Sequence, residues 1–381
     1  MAGSSPPSSG GRLREVILLF GQLGVTGFGG PMAHISMIER EAVEKRGWLS
    51  RQRFTDALAA TNLVPGPNST EMAIHVGDAR AGLAGAIGSG IAFIMPAFLL
   101  MLVLSWLYAR YQTVPAVDNV FYGIKPAVIA LIVVTAYRLF RGGVSDAALG
   151  AVFVASGALA YAFPGSEIYI LIGAGLAGLL LYSTRLGSGV ALVAAPMLAV
   201  PAFAWEPGTL GDIFLLCLRT GGLLFGGGYV MIPLMQHDVV ETFGWMSNDQ
   251  FLDGVALGQT TPGPIVITAT FVGYQAAGLP GAVVATVAIF LPSFVFALLA
   301  ARFLAVVSES VIARAVLKGL GAGVVGTILA ATAHLGRSAF VDGWTVAIGI
   351  VALFALLRWR VHSAPLLGGA ALAGLAFGAL P

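Results

Sequence analysis

The stretch FGGPMAHISMIEREAVEKRGWLSRQRFTDALAATNLVPGP, residues 28–67, returns later in the chain as FGGGYVMIPLMQHDVVETFGWMSNDQFLDGVALGQTTPGP, residues 225–264. Laid together without a gap, the two agree at 15 of 40 positions. The matches cluster at Phe28-Gly29-Gly30 with Phe225-Gly226-Gly227, at Gly47-Trp48 with Gly244-Trp245, and at Pro65-Gly66-Pro67 with Pro262-Gly263-Pro264. Phe54 and Asp56 pair with Phe251 and Asp253, and after the loss of one residue Gly77, Gly82, Gly85 and Pro96 fall on Gly273, Gly278, Gly281 and Pro292. Matches that hold their order over this length mark a duplication. The first repeat is placed at 13–205 and the second at 206–381, with the joint near Glu206-Pro207-Gly208 and residues 1–12 as a Ser/Pro/Gly-rich disordered tail.

Each copy is strongly apolar. Of the 381 residues 57% are hydrophobic and 10% charged, with mean hydropathy +0.90. A soluble domain carries about 25% charged residues, so a water-facing surface of this size is excluded and an all-α, multi-pass membrane protein is expected. Hydropathy gives thirteen candidate segments, near 13–30, 56–76, 82–108, 121–140, 144–163, 167–184, 188–205, 211–234, 252–275, 279–306, 315–335, 342–358 and 364–380. Seven precede the second copy, which therefore starts on the other side of the bilayer. If the Gly/Pro-broken first two segments of each half only dip in and return, five crossings remain, which is also odd. Charge points the same way. The first copy's loop holds Arg40, Lys45, Arg46, Arg51 and Arg53, whereas 236–250 has no Lys or Arg but has Asp238, Glu241 and Asp249. Cytoplasmic loops gather Lys and Arg, so the first loop is expected inside and the second outside, with Arg110 and Arg337 as exceptions. Trp48 and Trp245 suit interfacial anchors.

Pro-Gly-Pro inside an apolar segment breaks the helix, because each proline lacks a donor and glycine admits conformations that other residues avoid. At membrane depth a break survives only where protein or a water-filled cavity surrounds it. Half-helices starting at Pro67 and Pro264 would turn the N–H groups of 68–70 and 265–267 toward that cavity, and helix N-termini attract anions. Two such ends from inverted repeats describe a recurrent transporter site. The bland reading, a kink in a packed helix, is weakened by two copies preceded by polar residues. Gly29-Gly30 and Gly226-Gly227 are either bare backbone facing a ligand or places of close helix contact.

Ionisable residues in apolar segments are functional candidates. Arg219 is the candidate anion ligand, while Lys125, beside Pro126, is equally readable as snorkelling to water. Glu71 and His75 suit proton carriage, against the alternative of a capping carboxylate and a packed histidine. Asp56 and Asp253 open helices, where N-terminal charge complementarity explains them. The candidate substrate-binding residues are therefore Gly29, Gly30, Asn62, Pro65, Gly66, Pro67, Asn68, Ser69, Arg219, Gly226, Gly227, Gln259, Thr260, Thr261, Pro262, Gly263 and Pro264, with Glu71 and His75 for proton coupling. No nucleic-acid surface, metal cluster or cofactor motif is found, and Cys217 stands alone. No catalytic residue is assigned, and transport without a nucleotide motif must run on an ion gradient or downhill.

The Phe-Gly-Gly, Gly-Trp, Pro-Gly-Pro pattern, present twice, resembles the chromate ion transporter family in its long, two-domain form, over nearly the whole chain after Leu13. The resemblance implies a prokaryotic cytoplasmic-membrane protein that exports chromate and confers resistance to it, with the motifs falling on Phe28-Gly29-Gly30-Pro31, Pro65-Gly66-Pro67, Phe225-Gly226-Gly227-Gly228 and Pro262-Gly263-Pro264. Pro31 is replaced by Gly228 in the second copy, so the halves need not contribute equally. Chromate and sulfate share shape and charge, which keeps sulfate or another tetrahedral oxyanion as an alternative cargo. A membrane-embedded reductase is a distant alternative that lacks a redox cysteine pair. Proton coupling is expected, and a homodimer is left open.

Overall fold

A computed structural model describes residues 9–61, 64–183, 208–308, 310–359 and 361–378. Among them the chain is helical throughout, without strands. The first half contributes α1 (Ser9–Thr26), α2 (Pro31–Glu39), α3 (Arg51–Thr61), α4 (Asn68–Tyr111), α5 (Pro115–Gly143), α6 (Ala147–Ala162) and α7 (Glu167–Tyr182). The second contributes α8 (Thr209–Gly221), α9 (Met231–His237), α10 (Asn248–Thr260), α11 (Thr268–Ser308), α12 (Val311–Ala339), α13 (Gly343–Phe354) and α14 (Ser363–Phe377). Because α1 begins at Ser9, residues 9–12 belong to a helix rather than to the expected tail. The expected segment at 188–205 lies outside the described residues. Four helices, α4, α5, α11 with its lead-in from Ile265, and α12, are long and apolar enough to cross a bilayer.

Neither α4 nor α11 is a straight rod. Ala81 (φ −139°) and Gly82 (φ +65°) leave helical geometry, as do Ala277 (φ −149°) and Gly278 (φ +63°). Glycine tolerates the positive φ that a side chain would resist. The chain folds back at both places. Thr270 Oγ1 lies 2.7 Å from Thr286 Oγ1, although an unbroken helix would part them by about 24 Å. Gly77 and Gly85 touch backbone to backbone across one fold, and Gly273 and Gly281 across the other. These glycines are needed because any Cβ there would strike the opposite arm's carbonyl.

The fold-back tip of α4 also reports where the first segments go. Arg80 pairs with Glu15 near the start of α1 (2.7 Å) and stacks 5.3 Å over Trp48 in the loop after α2. The start of α1, the basic loop and the tip therefore share one level. The chain runs away from that level along α1, returns along α2, leaves along α3, and returns along 68–80. At about 1.5 Å per residue the 68–80 arm spans about 20 Å, shorter than the roughly 30 Å hydrocarbon core.

The halves are interlaced rather than side by side. α5 packs against α13 and α14 of the second half, while α12 packs against α6 and α7 of the first. The seams are built from equivalent glycines: Gly123 of α5 lies on Gly374 of α14, and Gly319 of α12 on Gly178 of α7. Small residues let such backbones approach closely and gain dispersion contact without a hydrophobic driving force in lipid. The main buried cluster runs through both halves, joining Met101, Ala127 and Ile132 to Ile213, Phe271 and Ile328.

Candidate functional site

Each Pro-Gly-Pro break is stitched to the other half. The Gly66 N–H donates to the Leu224 carbonyl (3.2 Å), and the Gly263 N–H donates to the Gly27 carbonyl (2.9 Å). Leu224 and Gly27 immediately precede the two Phe-Gly-Gly runs, so the four motifs form a reciprocal pair of crossed contacts. The glycines are required here by conformation: Gly66 has φ +155° and Gly263 φ +103°. They are also required by space. A side chain at Gly66 would strike the Glu71 carboxylate and the Ser293 hydroxyl, and one at Gly263 would meet Ala97 Cβ at 3.0 Å. Ser293 follows Pro292 and Ala97 follows Pro96, so equivalent positions of α11 and α4 flank the opposite break.

Pro65, Gly66 and Pro67 are buried, as are Pro262, Gly263 and Pro264, whereas Gly29 and Gly226 are exposed. Exposed backbone at Gly29 and Gly226 therefore stands beside buried breaks. Gly29 (φ +108°), Gly30 (φ +79°), Gly226 (φ +85°) and Gly227 (φ +115°) all hold left-handed geometry.

After the first break α4 starts at Asn68, with Pro67 as its N-cap. The Pro67 carbonyl accepts from Thr70 N–H (2.8 Å) and Glu71 N–H (3.2 Å). The Thr70 and Glu71 backbone donors are thus taken within the first turn, and Ser69 is buried. After the second break the tight turn Ile265–Ile267 precedes α11, and Ile267 N–H is taken by the Pro264 carbonyl (3.0 Å).

Glu71 is fully buried, and neither of its oxygens has a hydrogen-bond partner. Thr70 Oγ1, Ser293 Oγ and His75 Nε2 are also unsatisfied. His75 is not bonded to Glu71, so the pair expected from the sequence is a neighbourhood rather than a contact. A buried carboxylate without partners is costly unless it takes a proton or a bound cation. The helix arm that carries it has no acidic counterpart in the second copy, where 265–272 reads IVITATFV.

Other candidates are placed less centrally. Arg219 forms an ion pair with Asp238 and its side chain is 33% exposed, so its charge is already matched in this conformation. The Thr260 and Thr261 hydroxyls both bond back to the Leu257 carbonyl at 2.8 Å, while Gln259 accepts from the Tyr229 hydroxyl (3.1 Å) and leaves its own Nε2 free of a partner. Asn62 lies outside the described residues. Cys217 is buried, and among the described residues no group of His, Cys, Asp or Glu is arranged to hold a metal ion.

Sequence reading missed one cluster. Asp253 is buried and accepts from the Tyr108 hydroxyl (2.8 Å), and Lys125 Nζ stands 3.5 Å from Asp253 and 3.3 Å from Asp249. Lys125 is therefore paired, not snorkelling. Asp253 does more than complement a helix end, whereas its repeat mate Asp56 is exposed and accepts from Gln52 (2.9 Å) on its own helix. Lys125 was visible as an intramembrane charge and Asp253 only as a helix-opening one, and they sit in different halves with nothing in the spacing to join them.

A family model described as chromate transporter matches the chain twice, over residues 14–179 and 211–375. A chromate transport protein of Pseudomonas aeruginosa is 37% identical over 93% of this chain and 89% of its own length. A chromate transport protein of Cupriavidus metallidurans is 33% identical over 98% and 95%, and a probable chromate transport protein of Synechococcus elongatus 32% over 92% and 90%. No solved structure matches.

Proposed function

The chain belongs to the chromate transporter family, and we propose that it exports chromate across a prokaryotic cytoplasmic membrane from a site where the two Pro-Gly-Pro breaks cross. The observation that carries this reading is the reciprocal pair of hydrogen bonds, Gly66 to Leu224 and Gly263 to Gly27. It sets each helix start beside the bare glycine backbone of the other half, and Gly228 against Val266 and Ile265 links the two pairs, which supports a site where a tetrahedral dianion would meet donors from both halves. Gly29, Gly30, Gly226 and Gly227 supply backbone, Asn68, Ser69 and Gln259 supply polar groups, and Arg219 supplies charge once released from Asp238.

The two halves are read as inverted repeats, with the basic loop at 40–53 inside. The shared level of Glu15, Trp48 and Arg80 supports re-entrant first segments in the first half, which is the arrangement that loop needs. Because α5 and α12 are interlaced with the opposite halves, the moving parts are the re-entrant hairpins against a fixed frame, not whole repeats. Glu71, buried without a partner against Gly66, carries the coupled proton, with His75 four residues on along the same arm.

The test is uptake of labelled chromate into proteoliposomes under imposed pH gradients. Accumulation driven by the gradient and competed weakly by sulfate is expected. Equal inhibition by sulfate would make the cargo a general tetrahedral oxyanion, and absence of uptake of either would end the reading.

A further inference from the structure

The cluster of Tyr108, Lys125 and Asp253 is separate from the Pro-Gly-Pro crossing and is not used by the function proposed above. Lys125 projects from α5, one residue before Pro126, about 15 Å along the helix from its start at Pro115. Its side chain is 18% exposed and that of Asp253 8%, while Asp249 at the mouth is 55% exposed. Asp249, Asp253, Ala256 and Thr260 recur at helical spacing on one face of α10. That face begins at solvent and ends at Thr261-Pro262-Gly263. Ala256, one turn deeper than Asp253, is 1% exposed. The cluster therefore stands between the exposed Asp249 and the buried Pro-Gly-Pro on this face of α10. The matching face of α3 is uncovered, with Asp56 and Ala59 exposed.

We propose that Lys125, Asp253 and Tyr108 form the gate on the Asp249 side, and that Lys125 is an anion-binding residue of the path, occupied by the Asp253 carboxylate while the gate is shut. This rests on the oxyanion reading of the site, because only an anionic cargo would compete with Asp253 for the ammonium group. A carboxylate on a partly buried lysine marks a place where a second oxyanion can sit. Moving the cargo there frees Asp253 from its partner, so the passage of charge and the opening of the gate become one event. Tyr108 holds the other Asp253 oxygen and is itself fixed edge-on by Phe121 (5.5 Å) and Phe271 (5.1 Å). The shut position is thus tied to both halves.

The experiment places a reporter cysteine at Ala256 in a Cys217→Ser background and measures its reaction with a membrane-impermeant thiol reagent added from the Asp249 side of proteoliposomes. Asp253→Asn should raise the labelling rate by about tenfold, the scale of losing one buried bond to a charged group. Tyr108→Phe, which removes only a hydroxyl, should raise it by a few-fold and guards against misfolding of the first variant. With Asp253→Asn present, chromate or sulfate should slow labelling, and adding Lys125→Gln should abolish that protection. Labelling that stays at the parent rate in both Asp253→Asn and Tyr108→Phe overturns the gate. Protection that survives Lys125→Gln overturns Lys125 as the anion residue. Parent protein that transports neither oxyanion, yet shows the rise with Asp253→Asn, keeps the gate and removes the oxyanion reading instead.

Discussion

α3 and α10 descend from one ancestral helix, since both precede a Pro-Gly-Pro and carry Phe and Asp at matching positions, yet they live in different surroundings. α10 is covered by α5, α12 and α14, and residues 251–256 are buried without exception. α3 packs mainly on α4 and α11, leaving Thr55, Asp56 and Ala59 exposed. The same sequence pattern is therefore uncovered in one half and buried in the other. A transporter that alternates access needs this difference to reverse, which makes the two helices the natural place to intervene.

The largest effect is expected at the breaks. Gly66→Val must force a left-handed backbone and collide with Glu71, so transport should fall by about a hundredfold while membrane insertion persists; strained positions of this kind cost about 1–3 kcal/mol. Gly263→Ala, which meets only Ala97, should cost less, and an equal loss would show that the two breaks do not differ. Next in size is Glu71→Gln, expected to abolish accumulation driven by a pH gradient while chromate exchange at equal pH stays within about twofold. Loss of exchange as well would make Glu71 part of the binding site.

Arg219→Gln should lower the apparent affinity for chromate about tenfold, as expected for one charge-assisted contact, whereas Asp238→Asn should not weaken it. Matching losses would reduce the pair to a structural tie. The smallest effect belongs to Asp56→Asn, which should change transport by no more than about twofold, since isolated surface substitutions lie within about 0.5 kcal/mol. A large loss there would mean that the open helix also closes over its aspartate.

Much of this was legible in the sequence. The duplication, the four motifs and the breaks stand where the residues place them, because Gly and Pro impose backbone geometry locally. The pairing of charges was not legible. Lys125 and Asp253 lie in separate halves, and Arg219 meets Asp238 across a turn, so hydropathy and spacing carry no signal for either. The fold-backs at Gly82 and Gly278 were legible only as segment boundaries, at 76/82 and 275/279; that the arms on either side touch is shown by the glycines facing each other. Glu71 was legible as a buried acid, but its isolation became evident only with the neighbours in view.

The interlacing of α5 and α12 also constrains how the protein is made. α5 leaves the ribosome long before α13 and α14, the helices it finally rests on, and it carries Lys125 into the membrane before Asp249 and Asp253 exist to receive it. During synthesis the first half must therefore hold an uncovered glycine seam and an unpaired ammonium in or near lipid, a state costing several kcal/mol. The second half acts as the completing template for the first, and a chain truncated after α7 should be a substrate for quality control rather than half a transporter.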